Sequence, residues 1–244
     1  MISRILSVFL LAMVAVNHVA LADEAAVKKA VQKMLGNVEV SSLKPAAAPG
    51  LYEVVYGAKV FYASEDGRYI FQGDLLDMQT QTNLTEQSKM GAVKATLATI
   101  DEKKMIVFTP EKTKHTITVF TDIDCGYCRK MHNEMDTFLK EGIRVRYMMY
   151  PRAGKKSEAY TKAVSVWCSD DRQGSLTKSK NNKAIPVKTC DHPIDEHMEL
   201  AGEFGLRGTP LVILDDGSIQ PGYVPAVELA KFYAQKDAAK AAKK

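Results

Sequence analysis

At 244 residues the chain exceeds a single small domain and suggests two units. Its 33 basic and 29 acidic residues leave a net charge of +4, too mild and too interspersed to argue for a nucleic-acid partner. Its four cysteines are an even set whose meaning depends on the compartment.

The first 22 residues read as a targeting segment. Arg4 supplies a small positive region, residues 5–16 are apolar, and Ala20-Leu21-Ala22 forms a small-x-small cleavage site before Asp23-Glu24. The apolar run is short for a bilayer span and has no basic stop-transfer flank, so cleavage after Ala22 and export are expected. Loss of Arg4 leaves 32 basic against 29 acidic residues. No further membrane-spanning candidate follows. In an oxidising compartment four cysteines suggest two disulfides, with three possible pairings.

Residues 23–35 predict a helix, with Val27, Ala30, Val31, Met34 and Leu35 on one stripe and Gly36-Asn37 as its stop. Pro45 and Pro49-Gly50 break the next stretch. Strands are predicted over 51–56, 59–63 and 68–71, with Glu65-Asp66-Gly67 as a hairpin turn and a further strand over 74–78. One helix and a meander hold little apolar material for a core. Pairing with a second copy through the sheet edge is expected, a monomeric substrate-binding lobe being the other reading. Asn83-Leu84-Thr85 matches a glycosylation sequon and is given no role. Residues 86–103 predict a linker helix with Val93, Leu97 and Ile100 on its apolar side, which would fix the distance between the units.

The second unit opens with a strand over 106–108. A β-branched strand ending at Thr121 is followed by Cys125-Gly126-Tyr127-Cys128 and a helix over 129–140. A strand over 143–150 completes a βαβ unit with parallel strands. Helices are predicted over 157–167 and 194–204, and the polar stretch 170–183 between them carries no recognisable chemistry. Gly208-Thr209-Pro210 precedes a strand over 211–214, Asp215-Asp216-Gly217 turns the chain, and Pro225 opens a last helix through Ala234. Residues 236–244 read as a frayed Ala/Lys tail.

The C-x-x-C carries the chemistry. At the start of a helix a Cys125 thiolate would meet free backbone N–H groups and the positive end of the dipole, which lowers its pKa and makes it a nucleophile. Arg129 and Lys130 add positive charge, and Cys128 can close a disulfide with Cys125. Zinc would want four ligands, and Cys168 and Cys190 offer no second C-x-x-C. A local structural disulfide is the other alternative to a redox dithiol. If Cys125 pairs with Cys128, Cys168 and Cys190 are left to each other. His132 could help move the Cys128 proton, but it reads more readily as a surface residue of its helix.

C-G-Y-C at a strand–helix junction, with a later T-P before a strand, resembles the thioredoxin-fold oxidoreductases. The signal peptide, small first domain, linker helix, V-F-T-D-I-x-C-G-Y-C, second cysteine pair in a helical insert and G-T-P occur in order. This resembles the bacterial periplasmic disulfide isomerase C (DsbC) family over essentially the whole mature chain. Gly126 and Cys168/Cys190 favour it over the sister disulfide isomerase G. The resemblance implies an α+β protein with a signal peptide (1–22), a dimerisation domain (23–84), a linker helix (85–104) and a thioredoxin-like domain with a helical insert (105–244).

It further implies that Cys125 attacks, Cys128 resolves, and Cys168–Cys190 is structural. Pro210 would be a cis-proline facing the dithiol, with Thr209 offering backbone groups to a peptide, and Gly126 and Tyr127 at the substrate-binding surface. The implied function is a periplasmic homodimer that reshuffles wrong disulfides in exported proteins, with chaperone activity through its cleft. No metal or cofactor is implied, and an inner-membrane thiol–disulfide reductase would be the electron donor. A disulfide isomerase G-like chaperone or a thiol oxidase of the same fold is the alternative. Two departures stand out. Asp124 sits where a neutral residue is usual, and its charge would oppose the thiolate unless it points to water. Val119 stands where thioredoxin has a buried acid, so the Cys128 proton needs another acceptor.

Overall fold

The computed structural model describes residues 24–36 and 40–242; the expected targeting segment and cleavage site lie outside them. Helix α1 (Glu24–Leu35) buries Val27 and Val31. Four strands follow: β1 (Ser42–Pro45), β2 (Leu51–Tyr56), β3 (Lys59–Ser64) and β4 (Ile70–Phe71), an antiparallel sheet in that order. The period-2 alternation decides its two faces. Tyr52, Val54, Phe61 and Ala63 pack under α1, while Val55, Val60 and Tyr62 face the other way. Gly67 must be glycine: its φ is +68° and a Cβ there would sit 3.0 Å from Ala30 Cβ on α1. The sequence reading missed β1. Its proline is tolerated because β1 is an edge strand.

The strand expected over 74–78 shortens to β5 (Leu76–Asp77), paired with β6 (Thr82–Asn83). Helix α2 (Leu84–Ala98) starts where Asn83 Oδ1 accepts the Glu86 N–H at 2.9 Å, so the sequon asparagine is an N-cap. Tyr62 Oη bonds Thr85 Oγ1 at 2.6 Å, and Ser88 Oγ donates to the buried Glu53 at 2.8 Å, tying α2 to the first sheet. The helix ends five residues before the expected 103, and a 3-10 turn spans Glu102–Lys104.

The second unit holds β7 (Ile106–Phe108), β8 (His115–Thr121), α3 (Gly126–His132), α4 (Met135–Lys140) and β9 (Ile143–Met149). It continues with α5 (Glu158–Trp167), α6 (Arg172–Lys180), α7 (Ile194–Glu203), β10 (Leu211–Ile213), β11 (Ile219–Pro221) and α8 (Ala226–Ala241). The sheet order is β11-β10-β8-β9-β7, with β8 and β9 parallel as the βαβ reading requires. Alternation again sorts the faces. Ile117, Val119, Val145, Tyr147 and Val212 pack beneath α3–α6 and α8, while Phe120, Met148, Leu211 and Ile213 face Leu200 of α7 and Phe204 at its C-terminal end. Val93 and Leu97 of α2 belong to that second cluster, so the linker helix supplies core to the unit it leads into. The Asp215–Gly217 turn closes over α2, where a Cβ on Gly217 would strike the Met90 backbone.

Two expectations are corrected. The helix read over 129–140 is broken at Asn133-Glu134, because the Glu134 carboxylate reaches across to the Tyr223 hydroxyl and to the Ala226 N–H at 2.7 Å. A carboxylate at the start of α8 complements that helix dipole. The Ala/Lys tail is helical through Ala241, since alanine and lysine are strong helix formers and Leu229 and Tyr233 anchor the helix to the core.

Candidate active site

Strand β8 ends at Thr121 and α3 begins after Cys125, its N-cap residue. Both thiols are free and buried, Cys128 in the first turn of α3. The Thr209-Pro210 bond is cis and brings Thr209 across from Cys125, whose thiol donates to Thr209 O at 3.2 Å. Tyr127 is exposed and stacks near Tyr223, with ring centroids 6.2 Å apart. Gly126 has open space where a Cβ would stand. Cys168 and Cys190 are bonded, with Cα atoms 5.7 Å apart, joining the end of α5 to the segment before α7.

The two thiols are electrostatically unequal. Burial pushes the Cys125 thiol up, but contacts with Thr209, the Cys128 N–H and thiol, and the Arg152 charge outweigh it, so its pKa is lowered. The Thr209 hydroxyl is itself buried without another partner. Burial pushes the Cys128 thiol up, against a nearby Lys180 charge, and its pKa is raised. Cys125 is therefore the more readily ionised sulfur and Cys128 the less.

The charges around the dithiol differ from expectation. Arg129 donates to Asp124 Oδ1 at 2.9 Å and to Ile123 O, and Lys130 lies over the Tyr223 ring at 4.8 Å. A cation acting on Cys125 is Arg152, whose Nε donates to the buried Asp122 carboxylate at 2.8 Å. Asp124 is turned to Arg129 and to Lys162 Nζ at 3.2 Å, so its charge is met away from the sulfur.

His132 is buried, contrary to the surface reading. Its Nε2 bonds Thr177 Oγ1 at 2.9 Å, it packs edge-on to Phe108, and burial holds its pKa down to about 4. Residues 170–183 also proved more than a polar spacer. They form α6, which turns Ser175, Leu176, Ser179 and Lys180 inward. Lys180 is 1% exposed, and its Nζ donates to Thr121 Oγ1 at 2.6 Å and to Asp122 O at 2.7 Å. The sequence signal was faint: one apolar residue, Leu176, four positions before a lysine. Arg152 had no signal beyond following Pro151 at the end of β9.

The first part of the chain, residues 18–86, matches the model of the disulfide bond isomerase protein N-terminal domain, and residues 102–236 match that of a thioredoxin-like domain. The thiol:disulfide interchange protein DsbC of Escherichia coli (strain K12) is 35% identical over 215 residues, covering 87% of this chain and 88% of that protein. The DsbC of Dickeya dadantii (strain 3937) is 36% identical over 226 residues, with 91% of each covered. The crystal structure of Proteus mirabilis ScsC in a transitional conformation has a TM-score of 0.50 at 20% identity, covering 63% of this chain and 81% of that one, a likeness of fold.

Proposed function

Because the chain belongs to the DsbC family of thiol:disulfide interchange proteins, we propose that it is a periplasmic disulfide isomerase working through Cys125 and Cys128. The observation that carries this reading is the split of the dithiol: Cys125 lowered at a helix N-terminus opposite cis-Pro210, Cys128 raised behind it. The Cys125 thiolate attacks one sulfur of a wrong substrate disulfide and forms a mixed disulfide, and the other substrate sulfur leaves with the electron pair. That freed thiolate attacks elsewhere in the substrate and expels Cys125, or Cys128 resolves the adduct and leaves the enzyme oxidised. Once Cys125 ionises, Thr209 O no longer receives its proton and can accept an N–H from an extended peptide, with Tyr127 beside it. Cys168–Cys190 serves as a structural disulfide.

Residues 1–22 are a signal peptide cleaved after Ala22, 23–84 a dimerisation domain, 85–104 a linker and 105–244 the catalytic domain. Strand β4 is a sheet edge with Ile70 and Phe71 exposed beside Tyr69, which supports pairing with a second copy. The resulting cleft would hold misoxidised exported proteins and give chaperone activity. An enzyme that must start reduced among oxidants needs a donor, for which an inner-membrane thiol–disulfide reductase is suited. The test is repair of a scrambled multi-disulfide protein in glutathione buffer by the full chain and by Ile70→Asp/Phe71→Asp. Repair by the native chain, lost with dimerisation in the variant, is expected. Oxidation of reduced substrate without repair of the scrambled one would reverse the assigned electron flow.

A further inference from the structure

Lysine is almost never fully buried without a compensating partner. Lys180 is buried within the second unit, and its two hydrogen-bond acceptors are a hydroxyl and a backbone carbonyl. The carboxylate of Asp122 is turned to Arg152 instead. Around Lys180 stand Cys128, Arg129 and His132 from α3, Cys125 at its N-cap, and Asp122 after β8. Tyr147 of β9 faces Cys128, and Arg152 faces Asp122. The Thr121 hydroxyl that receives Lys180 Nζ at 2.6 Å acts, like the Lys180 charge, to favour the ionised form of the Cys128 thiol. Lys180 and Thr121, bonded to each other, therefore both act on the second thiol from the interior side of the dithiol.

We propose that Lys180 is a positioning residue of the resolving step, taking the Cys128 proton through the Thr121 hydroxyl and returning it when the disulfide is reduced. The inference rests on the reading of Cys125 as attacker and Cys128 as resolver. With Lys180 as an ammonium, Nζ donates to Thr121 Oγ1. With Lys180 as an amine the contact reverses: Thr121 Oγ1–H donates to Nζ, and Oγ1 is free to accept from the Cys128 thiol.

In resolution the Cys128 S–H bond breaks, its proton passes to Thr121, and the threonine proton passes to Nζ. The Cys128 electron pair forms the S–S bond to Cys125, the bond from Cys125 to the substrate sulfur breaks, and the substrate leaves as a thiolate. When a reducing dithiol opens the Cys125–Cys128 bond, the Cys128 thiolate takes the proton back by the same route. No proton has to cross from solvent to a buried sulfur.

Burial lowers Lys180 to about 8, and the charges on Cys128, Asp122 and Cys125 pull it back up. The amine is therefore an accessible minority form near neutral pH. Capping Cys125 as a mixed disulfide removes one of the anions that hold the ammonium, so the amine gains when it is needed. A general base working near its own pKa is the efficient arrangement.

The experiment uses the full reduced chain and an aromatic disulfide whose released thiolate is coloured. The first release reports attack by Cys125, the second resolution by Cys128. Wild type should show a second phase rising with an inflection near pH 8. In Lys180→Met the second phase at pH 7 should slow by about a hundredfold, with its inflection moved upward and the first phase changed far less. Lys180→Arg, a cation that cannot give up its proton, and Thr121→Val, which removes the relay hydroxyl, should show the same upward move. Either decides the matter if Lys180→Met does not fold. A second phase with the wild-type inflection in any folded variant overturns the inference alone. A first phase that survives Cys125→Ala overturns the exchange reading and the inference with it.

Discussion

Replacing Cys168 and Cys190 together by alanine removes a cross-link that spans 22 residues. Constraining a loop of that size stabilises by about 3 kcal/mol in the chain-entropy model. For a protein of this length each kcal/mol corresponds to about 2–4 °C, so the unfolding midpoint should fall by about 6–12 °C. The structure says where the loss is felt. The bond holds the end of α5 to the segment before α7, and α6 lies inside the closed loop. Helix α6 is also anchored by the fully buried Leu176, so the folded variant should keep Lys180 in place. Trp167, the chain's one tryptophan, adjoins Cys168 and reports this region by fluorescence. The variant should unfold earlier yet react with the aromatic disulfide in the same two phases at a temperature where both proteins are folded. A midpoint within about 2 °C of wild type would refute the loop-closure reasoning. Loss of the second phase alone would show that α6 depends on the bond for its position.

Asp124→Asn should change the Cys125 pKa by less than about half a unit, because the carboxylate already meets Arg129 and Lys162 away from the sulfur; thiolate absorbance against pH measures it, and a drop of a full unit would contradict this. Burial holds His132 and His197 down to about 4, against about 6.5 in an unfolded chain. Between those values the unfolded state binds the protons, so stability is present above pH 6.5 and falls toward pH 4, each group contributing up to about 1.4 kcal/mol per pH unit. His197 accepts from Met149 N at 3.1 Å and donates from Nε2 to Lys104 O. His197→Gln should make the acid loss of stability shallower in denaturant titrations, and an unchanged slope would remove this explanation. Glu134→Ala should cost about 2 kcal/mol by leaving the Tyr223 hydroxyl and Ala226 N–H without their carboxylate; a denaturation midpoint equal to wild type would show the contact to be idle.

Strand β8, the dithiol and α3 were legible because their signals are local: a β-branched run, two cysteines at fixed spacing and a helical stripe. The first sheet was legible through alternation in β2 and β3, which packing enforces on both faces. What was not legible depends on contacts distant in sequence. Lys180 reaches Thr121 across 59 residues, and Arg152 reaches Asp122 across 30. His132 looked like a surface residue because nothing in α3 alone shows that Thr177, Phe108 and Tyr147 close over it. The kink at Glu134 has the same origin, a partner 92 residues away at the start of α8. The cis geometry before Pro210 came from the family resemblance, since a proline opening a strand is otherwise expected trans.

The most direct test of the account is covalent trapping. Cys128→Ala, incubated with a scrambled multi-disulfide protein and quenched in acid, should accumulate an adduct that thiol reduction releases, joined through Cys125. Cys125→Ala should accumulate none. An adduct carried by Cys128 in the second variant, or none in the first, would contradict the assignment of attacker and resolver on which the mechanism stands.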